Sequence, residues 1–329
     1  MSLLICVIKS LCAIWLYIQQ LSEHFMNKFL SRHQLTISYL EKASKCFLPL
    51  LDKIVALAYS RQGQPLVIGI NGCQGSGKST LADYLCTMLK RRHDIKALAV
   101  SLDDFYLSKV QRVNLADTVH PLLATRGVPG THDVSLAINT VKALKDITQK
   151  AISIPVFDKA IDDQDPRSKI TYTGVRQIII FEGWCLGATA QTKKELILPI
   201  NSLEREHDSD GRWRKYVNNA LGEKYPQLFE LIDLWVMLQA PSFNCVYQWR
   251  REQEHKLAQK KSELDLEHRG FIDDTSLKVF IQHYQRVTQQ CLNKLPNKMH
   301  YLYLLDNARL VIKQMQPKTY PLCGDTDID

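Results

Sequence analysis

The sequence predicts an α/β fold: a five-stranded parallel sheet with helices on both faces, preceded by an N-terminal helical extension. Three observations predict it. Short apolar runs recur at residues 66–71, 96–102, 177–181, 234–239 and 301–305. Within them apolar and polar residues do not alternate, as suits strands covered on both faces. Longer helical or loop segments separate the runs, which is the pattern of a doubly wound sheet.

The elements follow in chain order. Over residues 26–60 apolar side chains recur at helical spacing, among them Phe29, Leu30, Ile37, Phe47, Leu51 and Ile54. They predict one or two helices before the sheet. Gly63-Gln64-Pro65 ends that pattern. The expected organisation is an extension over 1–62, a main domain over 63–310 and a tail over 311–329. Residues 104–176 form an insertion between the second and third strands, with Pro121, Pro129, Pro155 and Pro166. It reads as functional loops around one helix, near 134–150. Residues 191–230 read as a polar surface insertion packed by Trp213, Tyr216, Tyr225 and Phe229.

Composition narrows the class. The 329 residues are 45% hydrophobic and 23% charged, a globular profile without a disorder signature. Net charge is +8, with positives scattered apart from Lys90-Arg91-Arg92 and the stretch from Lys256 to Lys261. Solvated helix faces or an anionic ligand explain that excess. No RNA-binding aromatic motif or zinc finger is present, so nucleic acid is not an expected partner. The nine cysteines include no C-x-x-C pair, which points to reduced thiols and not a disulfide framework. The apolar stretch from Leu3 to Ile18 is interrupted by Lys9 and falls short of the roughly 20 residues of a membrane span. Residues 1–25 read as a helical extension or an upstream start, with a peripheral anchor as the alternative. A cytoplasmic location is expected for the working part.

The strongest signal is Gly72-Cys73-Gln74-Gly75-Ser76-Gly77-Lys78-Ser79, which matches G-x-x-x-x-G-K-[ST] in full. An apolar strand leads in and a helical run leads out. This is a P-loop, and the predicted cofactors are ATP and Mg²⁺. Glycines let successive backbone N–H groups face the phosphates at a helix N-terminus. Lys78 supplies positive charge, and the Ser79 hydroxyl joins the Mg²⁺ shell. Gly72 to Ser79, with Thr80, form the expected ATP site.

Two acidic sites end predicted strands, in Ser101-Leu102-Asp103-Asp104 and in Phe181-Glu182-Gly183-Trp184. In open α/β sheets ligands sit beyond the carboxyl ends of strands, so both carboxylates are expected near the γ-phosphate. Phosphoryl transfer needs positioning, charge neutralisation and a carboxylate to take the hydroxyl proton. Asp103 fits the proton acceptor and Glu182 the Mg²⁺ partner. The plain alternative is a turn, where Asp is common. No N-K-x-D motif or L-S-G-G-Q signature is present. These features point to the kinase group of P-loop NTPases.

The segments 101–106, Arg126-Gly127-Val128-Pro129-Gly130-Thr131-His132-Asp133, Pro155-Val156-Phe157-Asp158-Lys159, 181–184 and 246–254 resemble the plant-type D-glycerate 3-kinase family and its uncharacterised bacterial and fungal relatives. The resemblance covers roughly residues 63–310. More distantly the order of parts is similar to pantothenate kinase, uridine kinase and phosphoribulokinase. It implies transfer of the ATP γ-phosphoryl group to a hydroxyl, with D-glycerate as the first acceptor to consider. It also implies a base at Asp103 and a metal-side carboxylate at Glu182. Asp104, Tyr106, Arg126, His132, Asp158 and Lys159 are the acceptor-side candidates. Their cations suit an anionic acceptor, because arginine grips carboxylates bidentately. Asp133 is equally readable as the N-cap of the helix that follows it.

Residues 245–270 read as a lid carrying Arg250 or Arg251 to the transition state, or as a solvated helix with Glu252 and Lys256 paired. Two rivals remain. One is a kinase for another acceptor: a nucleoside, a pantothenate-like compound or a sugar acid. The other is an ATP-binding regulatory protein without transfer.

Overall fold

The central sheet places the predicted strand ends side by side. The computed structural model describes residues 26–164, 169–263 and 274–317. The expectations for residues 1–25, Pro166, lid residues 264–270 and the tail beyond 317 lie outside the described residues. So do the side chains of the Lys256–Lys261 stretch.

Strand β1 (Leu66–Gly72) lies at the centre, between β7 (Ile178–Gly183) and β8 (Leu234–Gln239). Outside these lie β2 (Ala97–Ser101), next to β7, and β9 (Tyr301–Leu305), next to β8. All five run parallel, and every residue of β1 and β7 is buried. A sixth strand, β10 (Val311–Met315), pairs antiparallel with β9. The residues of β10 were expected to be tail. A tight turn returns them to the sheet: the Asp306 side chain accepts from the Leu310 amide at 2.8 Å, and Arg309 sits at φ +65°. Lys313 and Gln314 suit a solvated edge strand.

Alternate strand residues point to opposite faces. Val67, Ile179 and Phe181 join one core layer, and Ile68, Ile70 and Ile180 join the other. Helices α1 (residues 26–33), α2 (Ile37–Ser60) and α3 (Lys78–His93) lie on the second face. In α2, Leu50, Leu51 and Ile54 are fully buried, each contributing roughly 1.5–3 kcal/mol. Together they offset the missing hydrogen bond of Pro49 inside α2, which costs about 3 kcal/mol.

The insertion holds more structure than loops around one helix. It contains α4 (Lys109–Thr118), α5 (Val134–Lys145) and two small antiparallel pairs. One pairs β3 (Ala151–Ile154) with β6 (Ile170–Thr173); the other pairs β4 (Phe157–Asp158) with β5 (Asp163–Gln164). A Ser108–Gln111 capping box starts α4, and Asp133 caps α5 by accepting from the Leu136 amide at 2.9 Å.

Residues 191–230 fold into α6 (Ser202–His207), α7 (Arg212–Glu223) and α8 (Pro226–Phe229). Their polar residues are not a solvated surface throughout. Glu204 is buried against Arg286, and Asp208 against Arg214 at 2.9 Å. After β8 come α9 (Asn244–Glu263) and α10 (Asp274–Lys294), and α10 packs into both core layers. Among the described residues no helix is long and apolar enough to cross a membrane.

Candidate active site

The parallel register sets the site. Ser101 lies beside Glu182, and Asn71 beside Gly183, so three strands deliver their carboxyl ends to one edge. From β1 the chain turns through the P-loop into α3. Gly75 and Gly77 adopt φ of +77° and +92°, conformations open to glycine at little cost. A Cβ on Gly75 would also lie 2.6 Å from the Trp249 Cβ. The loop therefore packs directly on α9, and its backbone is free to face a ligand on the other side.

Ser79 Oγ donates to Glu182 Oε1 at 2.8 Å, and Lys78 Nζ lies 3.7 Å from Glu182 Oε2. Burial alone would lower the Lys78 pKa. The Glu182 and Asp103 carboxylates outweigh it and raise the pKa above the ordinary lysine value. Lys78 is thus held as a cation. Among the described residues, Glu182 Oε2, the Gln74 amide and Arg250 Nε are buried without a hydrogen-bond partner. An underused carboxylate oxygen beside a serine hydroxyl is an all-oxygen donor set that fits Mg²⁺.

Asp103 accepts from Lys159 Nζ at 2.6 Å and from the Tyr106 hydroxyl at 2.8 Å. Burial pushes its carboxyl up. The Lys159 and Lys78 charges and these two hydrogen bonds outweigh burial and hold it well below the usual carboxylate range. Asp104 differs. Burial pushes it up to about 6, opposed weakly by the Phe157 amide at 3.4 Å and reinforced by the Asp103 charge.

The Asp104 shift has a sign that can be checked. A carboxyl with a raised folded-state pKa favours the folded state while protonated. That contribution is lost as pH rises from the unfolded value through the folded one. Asp104→Asn is therefore expected to raise the melting temperature at about pH 7.5 and change it little at about pH 4. Thermal scans across that range check it.

A small cavity of about 30 Å³ lies between these groups, lined by Lys78, Asp103, Arg126, Lys159 and Arg250. Its apolar wall is Tyr106, Trp184, Phe280 and Tyr284. Four cations around one carboxylate can draw in an anion, and the aromatic wall strengthens their field by excluding water. Arg126 pairs with Asp162 and lies 5.5 Å from the centre of the Phe157 ring. Arg250 pairs with buried Glu254 and lies 5.9 Å from the Phe280 ring.

Comparison with known proteins agrees with this geometry. No family model matches the chain. The uncharacterized kinase mug58 of Schizosaccharomyces pombe is 34% identical over 268 residues, which cover 76% of this chain and 91% of that protein. The chloroplastic D-glycerate 3-kinase of Arabidopsis thaliana is 30% identical over 207 residues, 59% of this chain and 42% of that protein. The chain belongs to the family of D-glycerate 3-kinase and its kinase relatives. It is an ATP-dependent phosphotransferase with an alcohol group as acceptor. Among solved structures, the D-glycerate 3-kinase of Cryptococcus neoformans var. grubii superposes with a TM-score of 0.65 at 23% identity, covering 82% of this chain and 98% of that one. That likeness shows the P-loop kinase fold.

In this family member, several expected site residues have other side-chain partners. The Thr80 hydroxyl faces His33 Nδ1 at 3.3 Å, toward α1, which leaves its backbone N–H in the first turn of α3 as the group on the P-loop side. Arg251 is half exposed and pairs with Asp274 at 3.2 Å, so Arg250 is the one of the two that faces the cavity. Asp158 closes its own turn by accepting from the Ala160 amide at 2.7 Å. Burial lowers the His132 pKa to about 4, so the ring is neutral at physiological pH. It stacks on Tyr106 at 4.7 Å and meets the Tyr225 hydroxyl at 2.6 Å. His132 therefore backs the Tyr106–Asp103 contact and does not reach the cavity as a cation. Cys73 is buried, and burial pushes its thiol up to about 12, which leaves it an apolar filler.

Sequence reading missed Trp184 as a wall residue, and it missed Phe280, Tyr284, Arg112 and Asp162. In the sequence Trp184 stands out only as the last residue of the Phe181-Glu182-Gly183-Trp184 segment. The others lie in segments whose approach to the P-loop leaves no local pattern.

Proposed function

We propose that this kinase transfers the γ-phosphoryl group of ATP to a hydroxyl of a small anionic acceptor, D-glycerate first among the candidates. One observation carries the reading. Asp103 sits in a cavity that also presents Lys78, Arg126, Lys159 and Arg250, so a proton acceptor lies among cations for both phosphate and acceptor. The names of the relatives support D-glycerate.

In this reading the P-loop amides and Lys78 hold the phosphates. Ser79 and Glu182 would hold Mg²⁺, which would supply charge neutralisation for the transferred phosphoryl group. Asp103 accepts the hydroxyl proton, and Tyr106, backed by His132, fixes the carboxylate's orientation. The acceptor's carboxylate draws Lys159 off Asp103 and also engages Arg126. Lys159 reaches across the cavity to Asp103, where the acceptor hydroxyl is to sit. The Lys159 side chain, half exposed on the hairpin over residues 157–164, is the group that gives way, while the hairpin itself stays in place.

The test is ADP release from Mg·ATP against a panel of acceptors, with Lys78→Ala as control. D-glycerate is expected to stimulate release in the wild type and not in the control. Stimulation by a nucleoside or a pantothenate-like compound alone would replace the acceptor assignment.

A further inference from the structure

We infer that Asp162 is a positioning residue for acceptor recognition: its carboxylate ties buried Arg112 to Arg126 and aims the Arg126 guanidinium at the acceptor's anionic group. The inference rests on the reading that the acceptor is anionic.

The contacts form a chain of three charges. Arg112 is 1% exposed. Its guanidinium donates to the carbonyls of Leu107 at 3.2 Å, Ala124 at 2.7 Å and Asp162 at 2.6 Å. A buried guanidinium in this position needs a counter-charge, and Asp162 Oδ2 supplies it at 3.0 Å. The second oxygen, Oδ1, pairs with Arg126 Nη1. Asp162 takes φ +55°, a left-handed conformation that Asp tolerates better than most residues. That bend turns both its carbonyl and its carboxylate toward Arg112.

Two consequences follow from the charges. One carboxylate between two guanidiniums leaves one net positive charge, and Arg126 is the member that lines the cavity. Arg126 is also held before any ligand arrives, by Asp162 on one side and the Phe157 ring on the other. A free arginine loses rotamer entropy when fixed, and a pre-set one is spared most of that on binding. Asp162 is not a stand-in ligand that leaves. Its carbonyl and its Oδ2 are anchored to a fully buried side chain, so it remains when the acceptor enters.

The test is a double-mutant cycle on the full chain with Asp162→Asn, Arg126→Gln and both together. Asp162→Asn is expected to raise the acceptor KM roughly tenfold, leaving kcat and the ATP KM within about twofold. The double variant should bind acceptor no worse than Arg126→Gln alone. A neutral analogue, with an amide in place of the acceptor carboxylate, should show no change between wild type and Asp162→Asn. Calorimetry of acceptor binding beside a non-hydrolysable ATP analogue reads the same cycle without turnover.

Several results would overturn the inference. They are additive losses in the double variant, an equal loss with the neutral analogue, or a tighter acceptor KM in Asp162→Asn. If Asp162→Asn does not fold, Asp162→Glu carries the test: it keeps the charge but moves it by one methylene. A raised acceptor KM at unchanged melting temperature supports the inference, and an unchanged KM overturns it. A wild type that uses another anionic acceptor defeats only the D-glycerate assignment, and the cycle is then run on that acceptor. A protein that binds no anionic acceptor overturns the inference itself.

Discussion

Asp103→Asn is expected to slow phosphoryl transfer about 10³-fold, within the range for loss of a positioned general base, with nucleotide affinity little changed. The carboxylate is ionised across the working pH range because the Lys159 and Lys78 charges and the Tyr106 hydroxyl overcome its burial. Asn keeps the shape and can still accept from Tyr106, but it cannot take a proton. The P-loop cradle does not depend on Asp103, since Lys78 retains Glu182 at 3.7 Å. Single-turnover transfer and binding of a fluorescent nucleotide separate the two effects. Equal turnover in wild type and variant would remove Asp103 from the base role.

The second large effect divides two neighbouring arginines. Arg250→Gln is expected to lower kcat about 10³-fold, the scale of losing an arginine that stabilises transferring phosphate. Arg251→Gln should stay within about threefold, because exposed ion pairs contribute little. Arg250 is mostly buried, lines the cavity and keeps Nε without a hydrogen-bond partner. Its pairing with Glu254 holds the side chain extended along α9. Arg251 is rotated by about 100° around the helix and reaches Asp274 instead. Steady-state kinetics of both variants at saturating ATP check the contrast. Similar losses in both would mean that α9 acts through its fold and not through one side chain.

That contrast also shows where sequence reading stops. The P-loop was legible because its chemistry is local: eight consecutive residues hold the cradle, and strand and helix flank it. Asp103 and Glu182 were legible because a parallel sheet brings strand ends together, whatever the loops do. The choice between Arg250 and Arg251 depends on the helical phase of α9 against α10, which adjacent letters do not carry. The direction of the Thr80 hydroxyl is hidden for the same reason: one step along α3 turns it toward His33.

The acceptor wall was legible only in part. Arg126 and Lys159 stood out as cations near turn residues. Asp162 and Arg112 lie in segments joined only by the folded insertion, and their meaning comes from a distance of 3.0 Å. His132 looked like a cationic ligand group, and only its burial beside Tyr106 and Tyr225 shows it to be neutral. Edge strand β10 escaped because its polar residues carry no buried-strand pattern. The turn at Asp306 makes it pair with β9.

The measurement that tests the central claim most directly follows the γ-phosphorus of Mg·ATP by ³¹P NMR, with D-glycerate present and Lys78→Ala as the control. The account predicts that the wild type converts this signal into that of an acceptor phosphate monoester, with ADP in equal amount, and that the control does not. Release of inorganic phosphate alone, at the same rate with and without acceptor, would contradict it.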